Sequence, residues 1–368
     1  MKRSAQLAHI RQLSCLGISG QALMPALLRA VREYVGADSA GFFWVDAKGE
    51  MTNLYADRMR APGLMRLYFE RHYDGAEHSF REAFLQRAGA INPVVSGSPS
   101  PELLRTSYYN EILRHLDAHH VMYAVIRDQG HALGQLSLYR PKHAAAFSFI
   151  ERAALKDLSR YVTHAVSRPS MDDPAAGEYV ESDDECLVLI NVAGKIAQGT
   201  PKALNLLSMA THSQFNRVTP PLMQGDAAPP AVARLVAALI KLLDGSDAPP
   251  PRELAETAWG RFQLSAYALG ENPGARNFLV AVQIRRKERL EIKLAEALGA
   301  LELPTQQREV ALLLAQGKTN VEISRLLNLS PNTTGYHIKQ LFNRLDAHDR
   351  AEAVARIMER AKSASAQP

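Results

Sequence analysis

Near the C-terminus, two short helical patterns are separated by only Asn328-Leu329-Ser330. A connection of that length predicts a helix-turn-helix, in which one helix crosses a phosphate backbone while the next lies in a groove. Local caps divide the surrounding sequence into four helices. The first runs from about Thr305 to Gln316, with Val310, Leu313 and Leu314 on one face and Gly317 as its stop. Thr319-Asn320-Val321-Glu322 has capping-box spacing and opens the second, whose apolar face is Val321, Ile323, Leu326 and Leu327. Ser330 is a good cap for the third, with Pro331 in its first turn. Asp349-Arg350-Ala351-Glu352 repeats the capping-box spacing at the fourth, which carries Ala353, Val354 and Ile357.

The residues themselves resemble the LuxR/FixJ-type helix-turn-helix. From Leu301 the chain reads Leu-x-Leu-Pro-Thr-x-x-Arg-Glu-Val, and from Gly317 it reads Gly-Lys-Thr-Asn-x-Glu-Ile. Leu-Ser-x-x-Thr-x-x-x-His follows from Leu329, then Leu345 and Arg350-x-Glu-Ala-Val. The resemblance implies a regulator of the LuxR family whose third helix reads double-stranded DNA. It also implies a fourth helix that contacts a second copy, so that a homodimer addresses a two-fold symmetric operator, with RNA polymerase as a further partner. Carried onto this chain, the groove-facing residues are Thr334, Gly335, Tyr336, Lys339 and Asn343. Thr319 and Asn320 are placed to offer backbone N–H groups to a phosphate, and Arg344 to serve the DNA backbone. Thr334-Gly335 stands where the family usually has Val-Lys, which removes one charge from the groove and puts glycine inside a helix. The glycine costs up to about 1 kcal/mol relative to alanine.

A length of 368 residues predicts two or three domains, and 46% hydrophobic against 22% charged residues excludes a disordered chain. From Arg285 onward there are 14 Lys+Arg against 10 Asp+Glu, which leaves 29 against 28 for the rest, so nearly all of the formal +5 sits in the last quarter. The most apolar stretch, Ala231 to Leu243, is too short for a membrane span and contains Arg234 and Lys241. The N-terminus leads into no apolar segment of a signal peptide, and Cys15 and Cys186 form no metal knuckle. A cytoplasmic chain without membrane contact is expected.

The Pro/Ser/Gly/Asp-rich run Ser167–Gly177 predicts a linker. Expected boundaries are a first block over 1–166, this linker over 167–177, a second block over 178–284, a helical connection over 285–300 and the four-helix block over 301–368. The first block mixes helices at Ala22–Val35 and Phe149–Val166 with strands at Ser39–Asp46, Val121–Ile126 and Gln135–Tyr139. Phe42-Phe43-Trp44-Val45-Asp46, Tyr108-Tyr109-Asn110-Glu111 and Gly134-x-Leu-x-Leu-Tyr-Arg140 make it similar to GAF sensor domains. The second block reads strand Cys186–Ile190, turn, short strand, helix Pro201–Ser208, then strands Arg261–Leu269 and Asn277–Ile284 joined by Gly270–Gly274. That order resembles the PAS fold in topology. The expected fold is therefore multidomain: α+β sensor domains, GAF-like then PAS-like, followed by an all-α four-helix LuxR-type domain. The run Arg286–Lys293 is helix-forming, and Leu290, Leu294, Ala297 and Leu301 make a seam against a second subunit or the preceding block.

The first block holds 17 of the 25 aromatic residues, and Trp44, Tyr55, Tyr73, Tyr109 and Tyr123 are candidates to line an effector pocket, with core packing as the alternative. Glu111, His115 and His119 would share a face if helical, with His120 adjacent, yet no further ligand motif joins them, so no metal and no cofactor are expected. His72 reads as a surface residue. Gly317-Lys318-Thr319 imitates the tail of a phosphate loop, but Leu312 stands where its first glycine belongs. The function expected is a one-component, non-enzymatic regulator responding to a small molecule or partner. Two other classes remain compatible: a small-molecule enzyme with a vestigial DNA-binding tail, and a module that sequesters another regulator.

Overall fold

A computed structural model describes residues 3–57, 62–75, 78–90, 94–167, 177–270, 275, 278–301 and 303–363. The chain opens with α1 (Arg3–Ser14) and α2 (Gly20–Val35); Ser19 caps the second, and Gly36, with φ 77°, ends it. Next come β1 (Ser39–Val45), β2 (Met51–Asp57) and α3 (Pro62–Leu67), which runs into a π-helical turn at Tyr68–His72. The minimal pair β3 (Asp74–Gly75) and β4 (His78–Ser79) leads to α4 (Phe80–Gly89) and β5 (Val94–Gly97). After α5 (Pro101–Arg105) and a second π-helical turn at Tyr109–Leu113 come β6 (His120–Asp128), β7 (His131–Arg140) and α6 (Phe149–Ser167).

The first sheet has the order β2-β1-β7-β6-β5 and is antiparallel throughout. Between β6 and β7, Gln129 and Gly130 both have positive φ, the turn geometry whose twist suits a hairpin. At Gly134 a Cβ would lie 2.3 Å from the Phe43 carbonyl oxygen, so only glycine lets β7 cross β1 there. One sheet face is sealed by α2 and α6 through Leu27, Val31, Phe42, Leu138, Leu155 and Leu158. Arg140 fastens the end of α2, donating to the carbonyls of Gly36 (2.7 Å) and Val35 (3.3 Å) and pairing with Glu151 at 2.7 Å.

The expected linker falls almost wholly on 168–176, outside the described residues. Beyond it lie β8 (Tyr179–Asn191), β9 (Ile196–Gly199), α7 (Pro201–Thr211), α8 (Pro230–Leu243), β10 (Arg252–Thr257), β11 (Gly260–Leu269) and β12 (Leu279–Arg289). Most of the expected Gly270–Gly274 turn is likewise undescribed. The apolar run from Ala231 becomes α8, which buries Val232, Leu235, Val236 and Leu239. The second sheet has the order β10-β11-β12-β8-β9. With strands counted in chain order, both sheets read second, first, fifth, fourth, third. That repeat of topology has no counterpart repeat in the sequence.

The two α+β units touch through aromatic and polar contacts. Trp259 packs against Trp44 (centroids 6.0 Å apart) and Tyr55 (5.7 Å), and the Phe215 amide donates to Asn53 Oδ1 at 2.8 Å. Arg66 on α3 forms a bidentate pair with Asp226 at 2.8 and 2.7 Å.

Contrary to the helix expected over Arg286–Lys293, β12 continues as strand to Arg289, and α9 (Leu290–Ala300) begins only there. Pairing with β8 overrides local propensity, and across that ladder Arg285 meets Glu185 at 3.1 Å and Lys287 meets Glu181 at 3.3 Å. Arg286 points inward at 2% exposure, bonded to the Trp259 carbonyl (2.9 Å) and Glu288 (3.1 Å).

Helix α9 is buried on nearly every side. Ile292 and Ala295 belong to the core of the first unit, whereas Leu290, Leu294, Ala297 and Leu298 belong to the C-terminal core. The seam is thus filled within the chain. Charged groups accompany it: Lys293 lies 3.5 Å from Glu288 and 3.6 Å from Asp183, and Arg29 lies 3.1 Å from Glu296. Burial, reinforced by the nearby charge of Glu288, pushes the Glu296 carboxyl up to about 7.

The last core assembles α10 (Thr305–Ala315), α11 (Asn320–Leu327), α12 (Pro331–Leu345) and α13 (Arg350–Ser363) around Val310, Leu314, Ile323, Leu341 and Ile357. It also docks onto α1. Arg308, 1% exposed, donates to the Ala5 carbonyl at 3.0 Å, and Gln12 Nε2 donates to the Arg308 carbonyl at 3.4 Å.

Candidate functional site

The turn between α11 and α12 follows from its caps. Thr319 Oγ1 accepts from the Glu322 amide (3.3 Å) while Glu322 accepts from the Thr319 amide (2.8 Å), closing the capping box. Asn328 (φ 51°) ends α11 in the left-handed region, and Ser330 Oγ accepts from the Thr333 amide at 3.1 Å to start α12. At α13 the box is half-formed: Asp349 accepts from the Glu352 amide (2.8 Å), but the Glu352 carboxylate turns to the His348 amide (2.7 Å).

The inner face of α12 carries Thr334, Ile338, Leu341 and Leu345, all buried. Thr334 therefore leaves the expected groove set: it is fully buried, and Ser324 Oγ donates to its hydroxyl at 2.9 Å, joining α11 to α12. The outer face presents Gly335, Tyr336, Lys339 and Asn343 together, all exposed, with Tyr336 at 59%. A Cβ added at Gly335 would meet nothing within 4 Å, so no packing demands glycine there. Arg344 is exposed one residue beyond that face.

At the start of α11, Thr319 and Asn320 are exposed, but the Thr319 amide is already consumed by Glu322. The outward donors of this turn are the next amides, Asn320 and Val321. Arg350 braces the same end by donating to the carbonyls of Lys318 (2.5 Å) and Leu314 (3.4 Å). The expected apolar face of α11 splits: Ile323 is buried and Leu327 half-buried, while Val321 and Leu326 are 77% and 54% exposed. Ala353, Ile357 and Ala361 of α13 face the chain's own core, and Ala351 and Ala355 face outward.

A second candidate site lies on the sheet face opposite α2 and α6, a cavity of about 320 Å³ walled by both π-helical turns, α4 and the sheet. Such turns recur at functional sites. Its lining includes Phe43, Tyr68, Arg87, Tyr108, Tyr123 and Tyr139. Of the five expected aromatic residues, Tyr123 lines it and the others do not. Trp44 and Tyr55 pack on Trp259; Tyr73 donates to Glu50 (3.1 Å) and accepts from the Met51 amide (2.8 Å); Tyr109 bonds His119 Nδ1 at 2.7 Å. Burial pushes the Tyr73 phenol up to about 12. Arg87 and Tyr68 were not singled out in the sequence, although Tyr108 and Tyr139 stand in the quoted GAF-like motifs.

Glu111, His115 and His119 do not share a helical face. The helical segment stops after the π turn, Asp117 takes φ 53°, and His120 already begins β6. Glu111 instead pairs with His72 at 3.1 Å, and His72 is buried rather than at the surface. Among the described residues no group of three or more His, Cys, Asp or Glu side chains is arranged to hold a metal ion.

These two geometries coincide with two recognised domains. Residues 302–357 match the family model for bacterial regulatory proteins, luxR family, and residues 19–166 match that for the GAF domain. The chain carries an N-terminal GAF domain and a C-terminal LuxR-type helix-turn-helix domain. Two curated relatives share the C-terminal segment. "Putative HTH-type transcriptional regulator YhjB" of Escherichia coli (strain K12) is 41% identical over 51 residues, which is 14% of this chain and 26% of the relative. "Probable transcriptional regulatory protein SgaR" of Hyphomicrobium methylovorum is 42% identical over 53 residues, 14% of this chain and 25% of that protein. The chain thus spans about a quarter of each relative's length. Among solved structures, the cyanobacteriochrome TePixJ GAF domain aligns at 15% identity and a TM-score of 0.32, covering 42% of this chain and 91% of that one. No helix among the described residues is long and apolar enough to cross a membrane.

Proposed function

We propose that this chain is a cytoplasmic, non-enzymatic transcriptional regulator of the one-component kind. In it, α12 enters the major groove of double-stranded DNA and the GAF cavity takes a small-molecule effector. One observation carries the proposal: α12 buries a complete apolar face and leaves Gly335, Tyr336, Lys339 and Asn343 exposed side by side. Lys339 supplies the charge for a phosphate or a guanine edge, Tyr336 an apolar surface for a thymine methyl, and Asn343 a paired donor and acceptor. The bare backbone at Gly335 permits close approach. Amides at the start of α11, beside Thr319 and Asn320, and the guanidinium of Arg344 serve phosphates.

The proposed division is a GAF domain to residue 166, a linker over 167–177, a PAS-like unit extended to Arg289, α9 as connector, and the DNA-binding bundle from 301. Operation as a homodimer on a two-fold symmetric operator fits one recognition helix per copy, with Ala351 and Ala355 of α13 turned outward. RNA polymerase is the further partner proposed. The route of coupling is mechanical. Helix α3 walls the cavity with Met65 and grips the second unit through Arg66 and Asp226, and that unit's β12 runs directly into α9.

Binding to the DNA upstream of its own coding sequence, measured between 50 and 200 mM salt, should weaken at least about tenfold as released counterions are replaced. A flat salt response would overturn the proposal.

A further inference from the structure

Resting on the proposal that the GAF cavity holds an effector, we infer that this effector is an aromatic monocarboxylate whose carboxylate pairs with Arg87. The cavity wall is apolar and aromatic, with Phe43, Tyr68, Tyr108, Tyr123 and Tyr139 around it, and among the described residues no Asp or Glu side chain lines it. Among the described residues Arg87 is the one Lys or Arg in that wall, and its partners are Gln135 and the Tyr123 ring rather than a carboxylate. Several other half-buried or buried arginines have one: Arg32 meets Asp57 at 2.6 Å, Arg140 meets Glu151 at 2.7 Å and Arg286 meets Glu288 at 3.1 Å, whereas Arg308 is met by backbone carbonyls. A guanidinium set in an aromatic wall without an anionic partner favours a ligand that brings the missing negative charge.

The arginine is also held ready. Its Nε donates to Gln135 Oε1 at 2.8 Å, the Gln135 amide is oriented by donating to Ser137 Oγ at 3.0 Å, and the guanidinium lies 4.8 Å from the Tyr123 ring centroid. With Nε and one face engaged, the two terminal nitrogens remain for a planar, bidentate acceptor, which is the geometry of a carboxylate. Burial raises the phenols of Tyr68, Tyr108, Tyr123 and Tyr139, and Arg87 opposes that shift in all four. The phenols are therefore neutral hydrogen-bonding groups around one shared positive charge. At His119, which also lines the cavity, burial and the charges of His120 and Lys142 lower the affinity for a proton. One fixed cation suits a monoanion, and aromatic walls suit a flat apolar body.

Calorimetric titration of the full chain at neutral pH with 2-naphthoate, 2-naphthamide and 2-naphthyl phosphate tests this. The acid is expected to bind at least tenfold tighter than the amide. Arg87→Gln should erase that preference while the amide still binds, which also shows that the cavity is intact. Arg87→Lys, keeping charge without the fork, should retain part of it. If amide and acid bind equally and Arg87→Gln changes neither, the carboxylate assignment is overturned and the effector site stands. Tighter binding of the phosphate than of the acid overturns it in favour of a phosphoryl ligand. If none of the three binds at millimolar concentration, the inference and the effector reading of the cavity both fall.

Discussion

A chain carrying Tyr336→Ala and Lys339→Ala is expected to lose about a hundredfold or more in affinity for operator DNA while keeping its thermal stability. Each side chain is exposed and bears no packing role, so each substitution should change stability by less than about 0.5 kcal/mol. Each should cost roughly 1–3 kcal/mol in binding, and the double variant is expected to lose about the sum of the two. The single variants separate the roles. Lys339→Ala should lower the slope of log affinity against log salt by about one per copy, because one phosphate-neutralising charge is gone. Tyr336→Ala should leave that slope unchanged and weaken discrimination between sequences. Gel-shift or anisotropy titrations at three salt concentrations read both quantities. Parallel loss of the folded state would instead assign these residues to the core.

Arg286→Ala is expected to destabilise the chain by about 3–5 kcal/mol, the usual consequence of removing one partner from a buried charged group. Its guanidinium is 2% exposed and supplies two bonds to the Trp259 carbonyl, at 3.3 and 2.9 Å, together with Glu288 at 3.1 Å and Asp184 at 3.4 Å. Without it, Glu288, 5% exposed, keeps among the described residues the Lys293 ammonium at 3.5 Å, and the Trp259 carbonyl is left without its charged donors. Arg286→Lys should rescue little of this, since a point charge cannot reach the carbonyl and both carboxylates together. Because β12 leads straight into α9, the damage should spread. Limited proteolysis of the Arg286→Ala chain is expected to cut first near 289–301, before the GAF domain. A denaturation midpoint within about 1 kcal/mol of the parent would show that the network contributes little.

How much of this was legible in the sequence depended on whether the governing interaction was local. The four C-terminal helices were readable because Thr319, Ser330 and Gly317 act within one turn of their own position. Strands β6 and β7 were readable from the local runs Val121–Ile126 and Gln135–Tyr139. Strand β12 was not: Arg286 to Arg289 prefer helix in isolation, and the extended form depends on pairing with β8, a strand a hundred residues away, where Glu181 and Glu185 stand opposite Lys287 and Arg285. Thr334 was misplaced by helical phase, because motif spacing does not say which side of α12 faces α11 until Ser324 is in position. The cavity illustrates the limit for strands. Phe43 points into it and Trp44, its neighbour, points away, so counting aromatics could not choose between them without the register. The repeated sheet order left no periodic trace at all, since two sheets can share a strand order while their core positions are filled by different residues.

The most direct measurement is photo-crosslinking from position 336 of α12, with a benzophenone side chain replacing Tyr336, on a duplex bearing the upstream DNA. A control probe at the exposed Glu359 of α13 belongs beside it. The account predicts crosslinks to DNA from position 336, lost on adding unlabelled duplex, and none from position 359. Intact DNA binding with no crosslink from 336, or equal yields from both positions, would contradict it.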